Sequence, residues 1–161
     1  MEVTVLEGRS ARSGARTDEL PGVVPARPRA VEDTPAPHAA VGGREYRPFF
    51  EREAADVFIV DVPWNGLAES VKIASMADAY EINVAPHNFY SHLATMMSAH
   101  FSAVVPNLRI MEIDPDMVPW QDDLVTVQPQ ISDGYLQIPT GPGWGTEVDE
   151  AAVRAHPPKS R

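Results

Sequence analysis

An α/β fold with parallel strands is predicted by three short apolar segments in the second half of the chain and by the helix-like sequence between them. The segments are Val57–Asp61, Ile82–His87 and Leu108–Glu112. Their starts lie 25 and 26 residues apart, and each ends in a side chain that can exchange a proton. A (β/α)8 barrel, or TIM barrel, places catalytic groups at the C-terminal ends of parallel strands. We therefore expect Asp61, His87 and Glu112 to converge on one site.

The sequence around and between these strands has the periodicity of amphipathic helices. Aromatic side chains between polar ends predict that order begins with a short helix at residues 44–53. In the first gap the apolar positions are Leu67, Val71, Ala74, Ala77 and Tyr80. In the second gap they are Phe89, Leu93, Met96, Met97, Phe101 and Val104. Such stripes usually face a core, so we interpret these side chains, and His92 and His100 beside them, as packing or surface residues.

A small hairpin is predicted after the third strand. The dipeptide Asp133-Gly134 is a strong turn signal, and apolar alternation flanks it at residues 124–127 and 135–138. The glycine-rich run Gly141–Gly145 that follows is expected to be a loop.

Residues 1–44 differ from the rest of the chain and are predicted to be largely disordered. They contain no aromatic residue, five prolines from Pro21 to Pro37, and equal numbers of acidic and basic side chains. Proline interrupts helices and strand ladders, and apolar alternation is limited to Val3–Leu6. We therefore divide the chain into a disordered segment, residues 1–44, and an ordered domain, residues 45–161. A basic tail that binds a partner is disfavoured, because the segment carries no net charge.

Length and composition limit the classes of protein that the chain can represent. With 161 residues it is shorter than the roughly 250 residues of a complete (β/α)8 barrel. The absence of cysteine excludes disulfides and thiolate chemistry, and the net charge of −10 argues against a nucleic-acid partner. No apolar run reaches the roughly 20 residues that span a bilayer, and no signal-peptide pattern is present. We therefore expect a cytoplasmic protein without a membrane partner.

The pair Asp61 and His87 is the strongest candidate for chemistry. A carboxylate that bonds one ring nitrogen fixes the histidine tautomer and prepares the other nitrogen for proton transfer. The alternative is structural, in which Asp61 caps the turn before Pro63 and His87 satisfies a local backbone group. Glu112 lies among apolar residues, where burial without a partner is costly, so a structural salt bridge is its alternative role.

Other chemistries have weaker support. No glycine-rich phosphate loop and no Gly-x-Ser-x-Gly elbow is present. Direct metal binding by Asp61, His87 and Glu112 is also disfavoured, because the set does not match the usual histidine-rich ligand patterns.

The order of several motifs resembles one known family. They are Asp61–Glu69 at the first strand end, Val84–Asn88 at the second, Pro106–Glu112 at the third, and Asp133-Gly134, Ile138-Pro139 and Pro142–Glu147 in the tail. This order is similar to the C-terminal part of the mandelate racemase and muconate lactonizing enzymes of the enolase superfamily, most closely the galactonate dehydratase-like members. The resemblance implies the last three βα units of a (β/α)8 barrel, followed by a C-terminal hairpin and tail.

The resemblance also implies roles for particular residues. Asp61 and His87 would be the paired general acid and base, and Glu112 would hydrogen-bond the substrate carboxylate. Asn88 and Trp64 would lie in the substrate-binding region. Relatives use a Mg²⁺ ion, held by three acidic residues on earlier strands, to stabilise the enolate of a sugar acid.

Those earlier strands and their Mg²⁺ ligands have no counterpart in residues 1–44. The chain is therefore expected to be a C-terminal fragment of a dehydratase or racemase, from a truncated or frame-disrupted gene, and to be inactive alone. An alternative is a non-enzymatic remnant or interaction module. Three strands from an open barrel would leave both outer edges unpaired, which favours self-association or pairing with the missing part of the barrel.

Overall fold

The computed structural model describes residues 2–7, 40–114 and 118–157, and all structural statements refer to these residues. The strands are β1 (Glu2–Glu7), β2 (Val57–Asp61), β3 (Asn83–His87), β4 (Met111–Ile113), β5 (Ile131–Ser132) and β6 (Tyr135–Gln137). The helices are α1 (Gly43–Phe50), α2 (Val62–Asn65), α3 (Leu67–Asp78), α4 (His92–Val104) and α5 (Glu150–Ala155), with a 3-10 turn at Gln121–Leu124. No helix in the described ranges is long and apolar enough to cross a membrane.

Parallel strands form the part of the fold that carries the predicted site. β2 and β3 pair in parallel over five residues, in a register that sets Asp61 opposite His87. A parallel bridge from Val84 to Leu108 then joins β3 to the segment that leads into β4. The predicted strand–helix–strand–helix–strand order is therefore present, and the three strand ends lie at the same edge.

The helices cover one face of these strands. Phe58, Val60 and Val84 are fully buried in a core that also contains Ile73 of α3 and Phe101 of α4. Side chains on a strand alternate between faces, so Ile59 and Asp61 lie opposite Phe58 and Val60. The face that carries Asp61 is consequently the one that the helices leave open, and Ile59 there is 40% exposed.

Three aromatic side chains anchor α1 to this core, as the sequence predicts for the first ordered helix. Tyr46 and Phe50 are fully buried, and the ring of Phe50 meets that of Phe58 edge-on at 4.9 Å. Helix α3 contains its predicted stripe from Leu67 to Ala77, but it ends at Asp78, and Tyr80 beyond it is 40% exposed. Helix α4 begins at His92 and not at Phe89, and Val104 at its end is exposed. Phe89 is 47% exposed, because the chain between β3 and α4 turns across the strand end before the helix starts.

The N-terminal strand contradicts the prediction that residues 1–44 are disordered. Residues 2–7 form β1, which pairs in parallel with β4 and antiparallel with β6. Val3 and Val5 are buried in a second core cluster with Ala99, Met111 and Leu136. The prediction is therefore wrong for residues 2–7, and it is also wrong for residues 40–44, where Ala40 is buried and α1 begins at Gly43. Residues 1 and 8–39 lie outside the described ranges. β1 also covers the edge of β4, which corrects the expectation that both outer edges of the three strands are unpaired.

The hairpin has the predicted turn but a different first strand. Asp133 and Gly134 both have positive φ, at 52° and 79°, as a two-residue hairpin turn requires. The paired strands are β5 and β6, so residues 124–127 are not the first arm of the hairpin. Val125 instead makes an antiparallel bridge to Val148, and this long-range pairing removes the segment from the hairpin.

Candidate active site

Asp61 ends β2 and begins α2, so its carboxylate lies where a strand changes into a helical turn. Its Oδ1 accepts a hydrogen bond of 3.0 Å from the backbone N–H of Trp64, which is the helix-capping interaction expected before Pro63. The residue is 5% exposed. Capping fixes the orientation of the carboxylate, and the second oxygen, Oδ2, remains available for the site.

His87 is held against that second oxygen. Its Nδ1 lies 3.1 Å from Asp61 Oδ2, within the hydrogen-bonding reach predicted from the sequence. A carboxylate only accepts hydrogen bonds, so this contact places the proton on Nδ1 and leaves Nε2 as the second reactive position. The side chain is 33% exposed, which keeps the ring accessible from the open face. Asp61 therefore caps the helical turn through one oxygen and contacts His87 through the other.

Glu112 faces the same volume from β4. It lies between the buried residues Met111 and Ile113, so strand alternation turns its side chain toward the open face. Its Oε2 accepts a hydrogen bond of 3.2 Å from the backbone N–H of Asn88 and lies 3.9 Å from His87 Nε2. The structure therefore pairs Glu112 with the end of β3, and brings together the three residues that the sequence analysis singled out.

Asn88 and Trp64 lie beside the site, but their side chains have other surroundings. The Asn88 side chain is fully buried, and its Nδ2 donates to Thr95 Oγ1 at 2.9 Å. It therefore contacts α4, and only its backbone N–H reaches Glu112. Trp64 is 64% exposed and bonds Asp61 through its backbone. Both residues support the site through the main chain in this conformation.

Tyr90 is a residue of the site that the sequence analysis missed. Its hydroxyl donates a short hydrogen bond to Asp61 Oδ2, the same oxygen that faces His87. The rings of Tyr90 and His87 meet edge-on at 5.6 Å, and Phe89 stacks on His87 at the same separation. The aromatic pair Phe89-Tyr90, which follows His87 and Asn88, is the available signal, but helical spacing assigns Phe89 to the stripe of the next helix.

Two tyrosines respond to the Asp61 carboxylate. Burial, followed by the hydrogen bond and negative charge of Asp61, holds the pKa of Tyr90 well above its usual range. Burial and the charge of Asp61 also raise the pKa of Tyr46 to about 12. The Tyr46 hydroxyl bonds a different acceptor, since it donates to the carbonyl of Ile59 at 2.9 Å. Both hydroxyls therefore stay neutral and remain hydrogen-bond donors at neutral pH.

The described residues do not form a metal site. No group of three histidine or acidic side chains within these ranges lies close enough together to hold an ion. Asp61 already accepts three hydrogen bonds within the protein, from Trp64, His87 and Tyr90. The geometry thus gives no support for direct metal binding by Asp61, His87 and Glu112.

The other histidines of α4 are separate from this site. His92 bonds Asp122 at 2.6 Å and Gln121 at 3.0 Å, and so ties the start of α4 to the 3-10 turn. His100 lies against the ring of Trp144 at 5.7 Å. Both residues pack against the C-terminal tail, in agreement with their interpretation as packing or surface residues.

The chain matches a known protein family over most of its length. Residues 38–152 match the family described as enolase C-terminal domain-like. The chain belongs to this family. The match begins before the boundary at residue 45 that the sequence analysis placed, and it leaves β1 outside.

Curated relatives include sugar-acid dehydratases. The chain is 40% identical over 123 residues to D-xylonate dehydratase of Haloferax volcanii, which covers 73% of this chain and 30% of the relative. It is 31% identical over 145 residues to D-galactonate dehydratase of Cronobacter sakazakii, which covers 80% of this chain and 36% of the relative. The chain therefore spans about a third of these relatives and corresponds to a C-terminal fragment of them, as predicted.

Solved structures of the superfamily share the fold. A candidate L-alanine-DL-glutamate epimerase from Burkholderia xenovorans, bound to magnesium and fumarate, is 57% identical, with a TM-score of 0.73 over 74% of this chain and 30% of that chain. An enolase of the mandelate racemase subgroup from Agrobacterium tumefaciens is 35% identical, with a TM-score of 0.65 over 71% of this chain and 32% of that chain. The enolase-like C-terminal fold and the predicted resemblance are thereby confirmed.

Proposed function

We propose that this chain supplies the acid–base part of an active site that removes water from a sugar acid. The observation that carries the proposal is the contact between Asp61 and His87 at the ends of paired parallel strands. It leaves His87 Nε2 directed toward the open volume beside Glu112. The dehydratase relatives support the choice of sugar acids, such as D-xylonate or D-galactonate, as the substrate class.

His87 moves the proton in this proposal. With Nδ1–H bonded to Asp61, the free lone pair of Nε2 accepts a proton, and the resulting imidazolium can return one. His87 Nε2 first takes the proton from the carbon next to the substrate carboxylate, which leaves an enolate. The imidazolium then donates that proton to the hydroxyl on the adjacent carbon, the carbon–oxygen bond breaks, water leaves, and the remaining enol becomes a 2-keto acid when its hydroxyl proton moves to carbon. Asp61 stabilises the imidazolium and maintains the ring orientation throughout.

Glu112 acts on the carboxylate end of the substrate. Its Oε2 lies 3.9 Å from His87 Nε2, so both side chains face the volume that the substrate would occupy. A hydrogen bond between two carboxyl groups requires a proton between them. Glu112 would therefore bond the substrate carboxylate as negative charge builds up on the substrate. The backbone N–H of Asn88 keeps the Glu112 oxygen oriented for that contact.

The family's metal does not fit the described residues of this chain. A bound Mg²⁺ would supply charge stabilisation of the enolate, but no three acidic or histidine side chains come together in the described ranges. We therefore give no described residue a metal-binding role.

A chimera tests the acid–base assignment. Residues 40–157 would replace the matching C-terminal segment of the Haloferax volcanii dehydratase, and conversion of D-xylonate to the 2-keto-3-deoxy acid would be measured with Mg²⁺. We expect activity that His87→Ala lowers by about 100-fold or more, since positioned acid–base groups contribute about 10²–10⁴-fold. His156→Ala, a histidine stacked on Trp120 in the tail, is the matched control and should leave activity unchanged. A folded chimera whose activity survives His87→Ala would refute the assignment.

A second candidate function is an interaction module. In the described part of the chain, β2 pairs only with β3, so its other edge has no strand partner, and such an edge can pair with another chain. The open face beside it exposes Ile59. If the chain acts by pairing with another polypeptide, sedimentation velocity should show concentration-dependent association that Ile59→Lys weakens. A monomer at all concentrations would exclude self-association as its mode of action.

A further inference from the structure

The carboxylate of Asp61 accepts three hydrogen bonds, and their distribution over its two oxygens is uneven. Oδ1 has one donor, the backbone N–H of Trp64. Oδ2 has two donors, Nδ1–H of His87 and the hydroxyl of Tyr90. Only His87 among the three is proposed to exchange a proton with substrate, so the second donor on Oδ2 needs a separate explanation.

We propose that Tyr90 is a positioning residue that fixes Asp61 and weakens the bond between Asp61 and the Nδ1 proton of His87. This inference rests on the proposed acid–base function of His87 and extends it to a residue that does not touch the substrate. A carboxylate oxygen that already accepts one strong hydrogen bond carries less charge for a second donor. Tyr90 and His87 therefore compete as donors to one carboxylate oxygen, Asp61 Oδ2.

The geometry keeps Tyr90 in this position. Its ring stands edge-on to His87, so the two side chains restrict each other's rotation. A hydrogen bond to a charged acceptor is roughly twice as strong as one between neutral groups. The hydroxyl consequently locks the second oxygen of Asp61, while the cap from Trp64 locks the first.

The charges around Asp61 are compatible with a neutral, donating Tyr90. The titratable groups that face this network are His87, Glu112, Tyr90 and, from α1, Tyr46. Burial and the Asp61 carboxylate hold the pKa of Tyr90 above its usual range, since a phenolate beside Asp61 would face repulsion and could not donate. Tyr90 therefore remains a donor over the pH range in which histidines exchange protons.

The first experiment is nitrogen NMR of the complete chain with labelled histidine. In the unaltered protein, His87 should show a protonated Nδ1 and an unprotonated Nε2 when the ring is neutral. In Tyr90→Phe, Asp61 loses one donor and binds His87 more strongly, so the Nδ1 signal should shift downfield with the same tautomer retained. Tyr135→Phe, which alters an exposed tyrosine of the hairpin, is the matched control and should change neither nitrogen.

Other results of that experiment would overturn the proposal. An unchanged Nδ1 signal in a folded Tyr90→Phe protein would mean that Tyr90 does not act through Asp61. A mixture of the two tautomers would mean that Tyr90 only packs against the ring and that its loss loosens His87. Circular dichroism establishes that the variant is folded before either result is interpreted.

A second measurement keeps the test independent of the Tyr90 variant. Carbon NMR of labelled tyrosine would follow ionisation of Tyr90 in the unaltered chain and in Asp61→Asn. Removal of the carboxylate charge should lower the pKa of Tyr90 toward its ordinary value, and an unchanged pKa would refute the hydrogen bond. Neither measurement needs substrate or metal, so an inactive chimera would count against the proposed function and leave this inference standing.

Discussion

The substitution Val5→Asp tests whether β1 is a structural part of the domain. Val5 is 6% exposed and lies in the cluster with Met111 and Leu136, while its backbone N–H donates to the carbonyl of Gly134 at 2.9 Å. Loss of a buried valine costs about 1.5–3 kcal/mol, and burial of an unpaired carboxylate would cost more than the roughly 1–3 kcal/mol of a neutral polar group. Detachment of β1 limits the total, so we expect a loss of about 2–4 kcal/mol in the free energy of unfolding.

The assay for Val5→Asp has two parts and a matched control. Urea unfolding gives the free energy, and hydrogen exchange reports whether the amides of β4 lose protection when β1 detaches. Thr4→Asp places the same charge on the exposed neighbouring residue and should cost about 0.5 kcal/mol or less. Equal stability and equal β4 protection in the two variants would show that β1 does not hold the second core cluster together.

Three further predictions concern activity, pH and backbone conformation. The 161-residue chain alone should show no Mg²⁺-dependent dehydration of sugar acids, and EDTA-sensitive turnover by the purified chain would contradict this. The hydrogen bond from the Gly43 N–H, with help from Lys72, lowers the pKa of Glu69, so its stabilising effect is present above the usual glutamate range and is lost as pH falls through the lowered pKa. Glu69→Gln should therefore lower stability at pH 7 and converge with the unaltered protein in acid, as followed by urea unfolding at several pH values; divergence in acid would reverse the argument. Gly145→Ala should destabilise the tail by about 1–3 kcal/mol in thermal unfolding, because φ is 76° and the new methyl would lie 2.3 Å from a Pro139 carbon; an unchanged melting temperature would disprove this.

The dyad could be predicted from the sequence because its geometry follows from two local facts. Apolar segments at regular spacing identify parallel strands, and the residues at their ends must then share an edge. The parallel register of β2 and β3 converts this into direct opposition of Asp61 and His87. The position of Glu112 at this edge could be predicted in the same way, because side chains alternate along β4 and that of Glu112 points away from the helices.

The remaining parts of the site depend on contacts that periodicity does not encode. Tyr90 reaches Asp61 only because the chain turns after β3, and helical spacing had assigned its neighbour Phe89 to α4. The amide of Asn88 is directed to Thr95 by the same turn, so this residue beside His87 contributes its backbone instead of its side chain.

The incorrect predictions for two other parts of the fold have a similar cause. The alternation at Val3–Leu6 is too short to predict a strand by itself, and β1 exists because partners far along the chain pair with it. Residues 124–127 also alternate, but Val125 finds a partner at Val148 and not in the hairpin. The pattern at Val3–Leu6 is correct for extended backbone, whereas Leu124 ends the 3-10 turn and only Val125 of its segment makes a bridge. In neither case could the partner be read from local sequence.

The pairing of β1 has a consequence for the order in which the protein folds on the ribosome. β1 is synthesised before its partners, which are residues 111–113 and 135–137. Contacts at such sequence separation form slowly, because a long loop must close before they are made. The emerging chain can assemble β2, β3 and their helices while β4 still lacks its neighbour. An unpaired strand edge in such an intermediate favours aggregation, so the last step, docking of the first strand, is the one that chaperones would most need to protect.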